Sequence, residues 1–249
     1  RERWKKPNTW RTRSRLMRTF FLAVGMLAGT GSIMPVMAQE KPEVELKADV
    51  VSVNVWRAQE PKGVSIQPEL TLSWKGFYLA AWGNAGFERE NTPEIDLTLG
   101  YESEKGFSVS VTDYWLDGTS GFFHFGSTNT GHTFEAQVGY DFGFLDVNWY
   151  TNFAGYDGVN LEGNRAYSSF FSLRAPFRLG GLEWEAEAGA VPWTTDFYNN
   201  GSEGFAVSLL SVKATKEIHF ASGYSLPLFA KLVFNPNTEM ARMIFGVTF

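Results

Sequence analysis

Cysteine is absent from the chain, which excludes disulfides, thiolate metal sites, a cysteine nucleophile and a lipidated cysteine anchor. Histidine occurs three times, at His124, His132 and His219, too few and too dispersed for a metal centre. After residue 38 no apolar run reaches helix length and no stretch keeps a helical period. Basic residues are scarce there as well. Of 22 Lys and Arg, eight lie in residues 1–18 with one of the 27 acids, so residues 40–249 carry 14 bases against 26 acids, a net of −12. A body that acidic repels phosphate backbones, and no nucleic-acid partner is expected. Apolar and aromatic side chains are plentiful. They make up 44% and 16% of the 249 residues, with 22 Phe, which excludes a disordered chain.

The N-terminus has the pattern of an export signal. Residues 19–39 hold no charge, follow a basic stretch ending at Arg18, and close on Val36-Met37-Ala38, with small side chains at the two positions a signal peptidase inspects. Cleavage is expected after Ala38, with the true start at Met17 and residues 1–16 upstream of it. A membrane-anchoring helix is the alternative, weakened by Gly25, Gly29, Gly31 and Pro35. Residues 1–38 are thus expected to be an upstream extension plus a cleaved signal peptide, and 39–249 a single domain.

That domain alternates apolar and polar residues. Val64, Ile66, Pro68, Leu70, Leu72 and Trp74 are separated by Ser65, Gln67, Glu69, Thr71 and Ser73, the period of two of a strand with one apolar face. The pattern returns at 94–101, 107–112, 133–140, 145–150 and 182–188. Weaker segments at 44–56, 77–87, 165–175, 204–215, 225–234 and 240–249 complete a set of twelve. A parity slip between Leu209 and Leu210 suggests a bulge.

The connections sort by length. Tight turns at 75–76, 103–106, 142–143 and 178–181 alternate with longer links at 57–63, 88–93, 116–132, 154–164 and 192–202, rich in Gly, Asn, Asp and Thr. An outer-membrane barrel has this arrangement, with periplasmic turns and extracellular loops. A soluble sandwich or lipocalin has no reason to sort its loops so. Trp56, Trp74, Trp82, Tyr101, Tyr114, Trp115, Tyr140, Trp149, Trp184 and Trp193 stand near strand ends, where amphipathic rings suit the headgroup layer. The chain closes Met243, Phe245, Val247, Phe249, an alternating apolar face ending in Phe, as in chains handled by the barrel-insertion machinery. The expected fold is all-β, a 12-stranded antiparallel transmembrane β-barrel of the bacterial outer membrane, with lipid and lipopolysaccharide as its surroundings.

A family resemblance rests on Asp49-Val50-Val51-Ser52, Trp56-Arg57-Ala58-Gln59, and the stretches 63–84 and 94–101, with later support from 141–155 and 175–199. These residues resemble the TorF-type porins, particularly their Bacteroidales relatives. Members usually carry an aromatic two residues after that Ser and a Gly after the Arg, where Asn54 and Ala58 stand here. The resemblance implies a 12-stranded outer-membrane barrel with a transport role and supplies no catalytic residues.

If the apolar set meets lipid, the opposite set lines the lumen: Glu69, Asp96, Glu135, Asp146, Glu183, Glu185 and Glu187, with Arg174 the clearest base. Lys47, Asp49, Lys213 and Lys231 are ambiguous in facing. The expected function is a porin-like channel for passive passage of small solutes, favouring cations, without a cofactor. One alternative is a plugged structural or surface-interaction barrel, in which the acids pair with Arg174, Arg57, Lys213 or Lys47. A hydrolase is the other: His124 and His132 could approach Asp113 or Asp117 at the rim, but no Ser or Asp motif accompanies them.

Overall fold

A computed structural model describes residues 41–59, 62–88, 93–116, 118, 120–127, 129–198, 204–221 and 223–249. The chain divides into two units, Arg1–Gln39 and Glu40–Phe249. The signal segment falls in the first, outside the described residues. The second unit contains twelve strands: β1 (Glu43–Val51), β2 (Ser65–Trp74), β3 (Phe77–Gly86), β4 (Glu94–Glu102), β5 (Phe107–Leu116), β6 (His132–Asp141), β7 (Asp146–Gly155), β8 (Ser169–Leu179), β9 (Leu182–Val191), β10 (Ala206–His219), β11 (Ser225–Asn235) and β12 (Met240–Thr248). Each strand pairs antiparallel with its sequence neighbours, and β1 pairs with β12, so the sheet is a closed barrel. The ring closes from Ala48 to Val51, where Ala48 and Phe249 exchange backbone hydrogen bonds at 2.9 and 3.2 Å, and Glu43–Lys47 run past the end of β12 beside β2.

Alternation decides which way each side chain points, and the register carries that choice from strand to strand. Leu72 on β2 faces Leu79 on β3, which faces Leu99 on β4 and then Val111 on β5. All point outward, with Leu99 62% exposed and Leu79 52% exposed. Burying that much apolar surface needs an apolar surrounding, and the outer wall of a membrane barrel has one. The inward rows are polar between the same residues.

Connections of two to five residues, 75–76, 103–106, 142–145, 180–181 and 220–224, gather at one end. Lys75 and Gly76 both take positive φ (52° and 85°), the geometry that lets a two-residue hairpin follow the strand twist. The other end carries 52–64, 87–93, 117–131, 156–168, 192–205 and the short link 236–239. Length alternation is therefore broken at that last link, where Oδ1 of Asn235 accepts from the backbone N–H of Asn237 and Thr238 and closes a tight turn.

Four sequence expectations change. The segment 44–56 is strand only to Val51; Ser52 still bonds Phe245 of β12, and residues 53–56 leave the wall. The bulge in β10 lies between Val207 and Leu209 rather than after Leu209; Leu209 is buried in the inner core and Leu210 faces out, so the extra residue is Ser208. Trp82 and Tyr114 are not interfacial, because they share a row with Asp96 and point inward. Trp56 is also internal, stacked on Tyr198, and Trp115 is outward but covered by Phe122.

Candidate functional site

All eight residues expected on the lumen face lie on inward rows, and so do Lys47, Asp49, Lys213 and Lys231. Most of the acids have a cation within reach. Lys47 Nζ lies 2.9 Å from Glu69, Arg178 donates to Glu183 at 2.8 Å, and Lys231 stands 3.7 Å from Glu187. Arg174 joins Asp146 at 2.8 Å and Glu185 at 3.9 Å. Lys213 instead places its ammonium 4.3 Å from the centroid of Phe229, itself turned inward over Gly246. These side chains remain partly wet, with Arg174 45% and Glu185 35% exposed, so the lumen around them admits solvent. A polar cavity of about 370 Å³ opens there toward the short-turn end, lined by Ser108, Gln137, Asp141, Asp146, Asn148 and Arg174 among others.

The charges are unevenly placed. Strands β2 to β7 contain no Lys or Arg at all, while Glu69, Glu94, Asp96, Glu102, Glu135, Asp141 and Asp146 stand on their inward rows. The strand bases that face inward are Lys47 on β1 and Arg174, Arg178, Lys213, Lys231 and Arg242 on β8 to β12. Half the inner wall is acidic and half is mixed. Asp96 has a buried carboxylate oxygen without a hydrogen-bond partner.

At the long-loop end the lumen changes character. In a ring of twelve, β1 and β2 stand opposite β7 and β8. Residues 52–59, which leave β1, cross that distance. Arg57 reaches the far wall, where Nη1 and Nη2 donate to the two oxygens of Glu135 at 2.5 and 2.8 Å. Nη1 also donates to the Tyr198 hydroxyl at 2.6 Å, and Tyr114 donates to Glu135 at 2.9 Å. The guanidinium lies 4.0 Å from the centroid of Tyr150 and 4.3 Å from that of Trp56. Glu135 is 2% exposed, so the pair is dry and the bidentate geometry counts in full. Burial alone would make Arg57 less basic, yet Glu135, Tyr198 and Tyr114 around it raise its pKa well above the ordinary value. Burial also raises the pKa of the Tyr198 hydroxyl, against an opposing pull from Arg57.

Sequence reasoning named Arg57 only as one of several possible partners and missed Tyr198, Tyr114 and Phe170. Parity alone could have turned Tyr114 inward, because Phe107, Val109 and Val111 face out. Nothing local marks Tyr198, which sits in the loop 192–205.

The loop 117–131 behaves differently from 52–59. Trp115, Asp113 and His132 all belong to outward rows, and the loop covers them from outside. His132 is fully buried, its Nδ1 2.9 Å from Asp113 and its Nε2 donating to the Phe122 carbonyl at 2.6 Å, with Phe125 stacked on the ring at 4.3 Å. The approach of His132 to Asp113 thus occurs, but both ring nitrogens are occupied and the pair holds a loop in place. His219 bonds Ser225 across the 220–224 turn. Among the described residues no group of three His, Asp or Glu could hold a metal.

Comparison with known proteins gives a family model and solved structures. A family model described as "Putative MetA-pathway of phenol degradation" matches residues 50–170, a little under half the chain. Among solved structures, the NanC porin aligns at 8% identity over 82% of this chain and 98% of that one, with a TM-score of 0.46. No curated protein matches.

Proposed function

We propose that this chain is an integral outer-membrane protein, a porin-like channel for passive passage of small solutes that favours cations, and a relative of the TorF-type porins of Bacteroidales. The observation that carries the reading is the division of one closed wall into an apolar outer face and a charged, solvent-admitting inner one. A structural barrel that only fills its interior gains nothing from keeping Arg174 and Glu185 wet. The cation preference rests on β2 to β7, whose inward rows carry seven carboxylates and no base of their own; Lys47, Lys62, Arg57 and Arg174 reach Glu69, Glu94, Glu135 and Asp146 from outside these strands, so the acidic excess comes from Asp96, Glu102 and Asp141. Such a wall concentrates cations and repels anions along its length. Cleavage after Ala38, contact with lipopolysaccharide, and delivery to the membrane by the barrel-insertion machinery through the strand ending in Phe249 belong to the same reading.

Planar-bilayer recording on the refolded barrel tests it. The wild type should conduct, and across a salt gradient its reversal potential should have the cation-selective sign, strongest below about 0.1 M salt, where the Debye length exceeds roughly 10 Å. Silence of every variant would leave a scaffold instead; an anion-selective sign would remove the preference.

A further inference from the structure

We propose that residues 52–59 are a latched gate across the long-loop mouth, with Arg57 as the pin and Glu135 as its catch. The proposal rests on the channel reading and adds to it a named moving part. Three observations support it. The segment spans the lumen from β1 to the opposite wall, and its tip holds Ala58 at 2% exposure. Its tip is held by few residues: Arg57 meets Glu135, Tyr198 and Tyr150, Trp56 meets the rings of Tyr114, Phe197 and Tyr198, Val53 and Val55 pack on the inner apolar cluster, and the Ala58 carbonyl accepts from Nδ2 of Asn235 at 3.0 Å. Asn54 pairs with Lys62 within the same loop, and the Lys62 ammonium holds that part of the loop to Glu94 of β4 at 3.1 Å.

The third observation is the backbone. Arg57 and Ala58 both occupy the left-handed region, at φ 45° and 53°. Side chains with a Cβ take that region at a cost, and two in succession persist only where surrounding contacts impose them. Here the Gln59 N–H donates to the Trp56 carbonyl at 2.8 Å, so Arg57 and Ala58 are the central residues of a tight turn, and the Arg57–Glu135 pair holds that turn against the far wall. Once that pair parts, the turn can leave the far wall as a unit, with Ser52 still hydrogen-bonded to Phe245 of β12 at the root of the segment. The contact is charge-assisted and water-excluded while closed, and its two groups are readily hydrated when apart. Such a contact suits a catch with two discrete positions better than a permanent plug, for which an apolar tip of the same volume would serve at least as well.

The absence of native cysteine allows a direct test. In an Arg57→Cys/Glu135→Cys double variant both charges are removed together, so no unpaired charge is left buried. Folding is checked by heat-modifiable migration on a gel. With free thiols this variant should spend about tenfold more time in its high-conductance state than the wild type, since a tenfold population shift needs only a fraction of a buried pair's strength. Bridging the thiols with a short bifunctional reagent should return conductance to the wild-type level, and cleaving the bridge should release it again. Should the double variant fail to fold, Glu135→Gln, which keeps size while removing the charge, should raise open time in the same direction. Wild type and variants conducting alike, with no effect of the bridge, would overturn the latch and leave the channel standing. Silence of all of them, correctly folded, would overturn both.

Discussion

The ring of Phe170 on β8 lies directly over Gly189 of β9, so close that a Cβ on Gly189 would collide with the ring edge. Phe170 is 1% exposed and is stacked against Tyr198 at 5.7 Å, with the Arg57 guanidinium 4.9 Å from its centroid. The missing side chain on one strand thus creates the space in which the aromatic wall of the mouth is built.

Gly189→Ala should therefore be felt beyond β9. Phe170 must leave its position or the strands must part, an overpacking cost of about 1–3 kcal/mol. Urea unfolding of the variant in detergent or lipid should show a lowered midpoint. A midpoint equal to that of the wild type would mean the ring relaxes freely.

Tyr198 should titrate late. Its hydroxyl is buried, which holds its pKa above the ordinary value of 10.0. Because the folded state keeps the proton more tightly than the unfolded chain, the contribution to stability is complete below about pH 10 and is lost as pH rises through the folded value. Absorbance titration of the tyrosines should lose one late-titrating residue in Tyr198→Phe. An unchanged late amplitude would place Tyr198 in water.

Replacing Glu183, Glu185 and Glu187 together by Gln should weaken cation selectivity without reversing it. The exchange frees Arg178 and Lys231 from their partners, while Arg174 keeps Asp146 and the acidic rows of β2 to β7 stay intact. Reversal potentials in a salt gradient read the change directly. No change at all would take these three residues out of the conduction path.

The two ends of the barrel are chemically distinguishable in whole cells. Ser127 lies in the loop between β5 and β6, and Glu104 in the turn between β4 and β5 at the opposite end. On intact cells Ser127→Cys should react with a membrane-impermeant thiol reagent and Glu104→Cys should resist it. The reverse result would invert the topology.

The strands were legible because alternation is local: each pair of neighbours, such as Leu70 beside Glu69 or Val109 beside Ser110, states by itself which side is apolar. Twelve such segments with short and long links imply an even, closed, antiparallel wall, and the inward rows follow from parity without knowledge of any partner. The same parity, applied strictly, also turns Trp82 and Tyr114 inward; composition near strand ends pointed the other way because an aromatic ring satisfies either an interface or a packed lumen.

Which connection enters the lumen was not legible. The longest one, 117–131, stays outside because Trp115, Asp113 and His132 stand on outward rows and give it a surface to cover. Residues 52–56 read as the end of a strand and 57–63 as a surface link, yet 52–59 crosses the mouth. Its path depends on Glu135, 78 positions away, and on Tyr198, 141 positions away. Local patterning determined the wall of this protein and the faces of its strands, since those need only nearest neighbours. Only closure of the ring brought the β1–β2 connection opposite β6 to β8, and that long-range juxtaposition decided where the buried charge pair forms and which segment spans the opening.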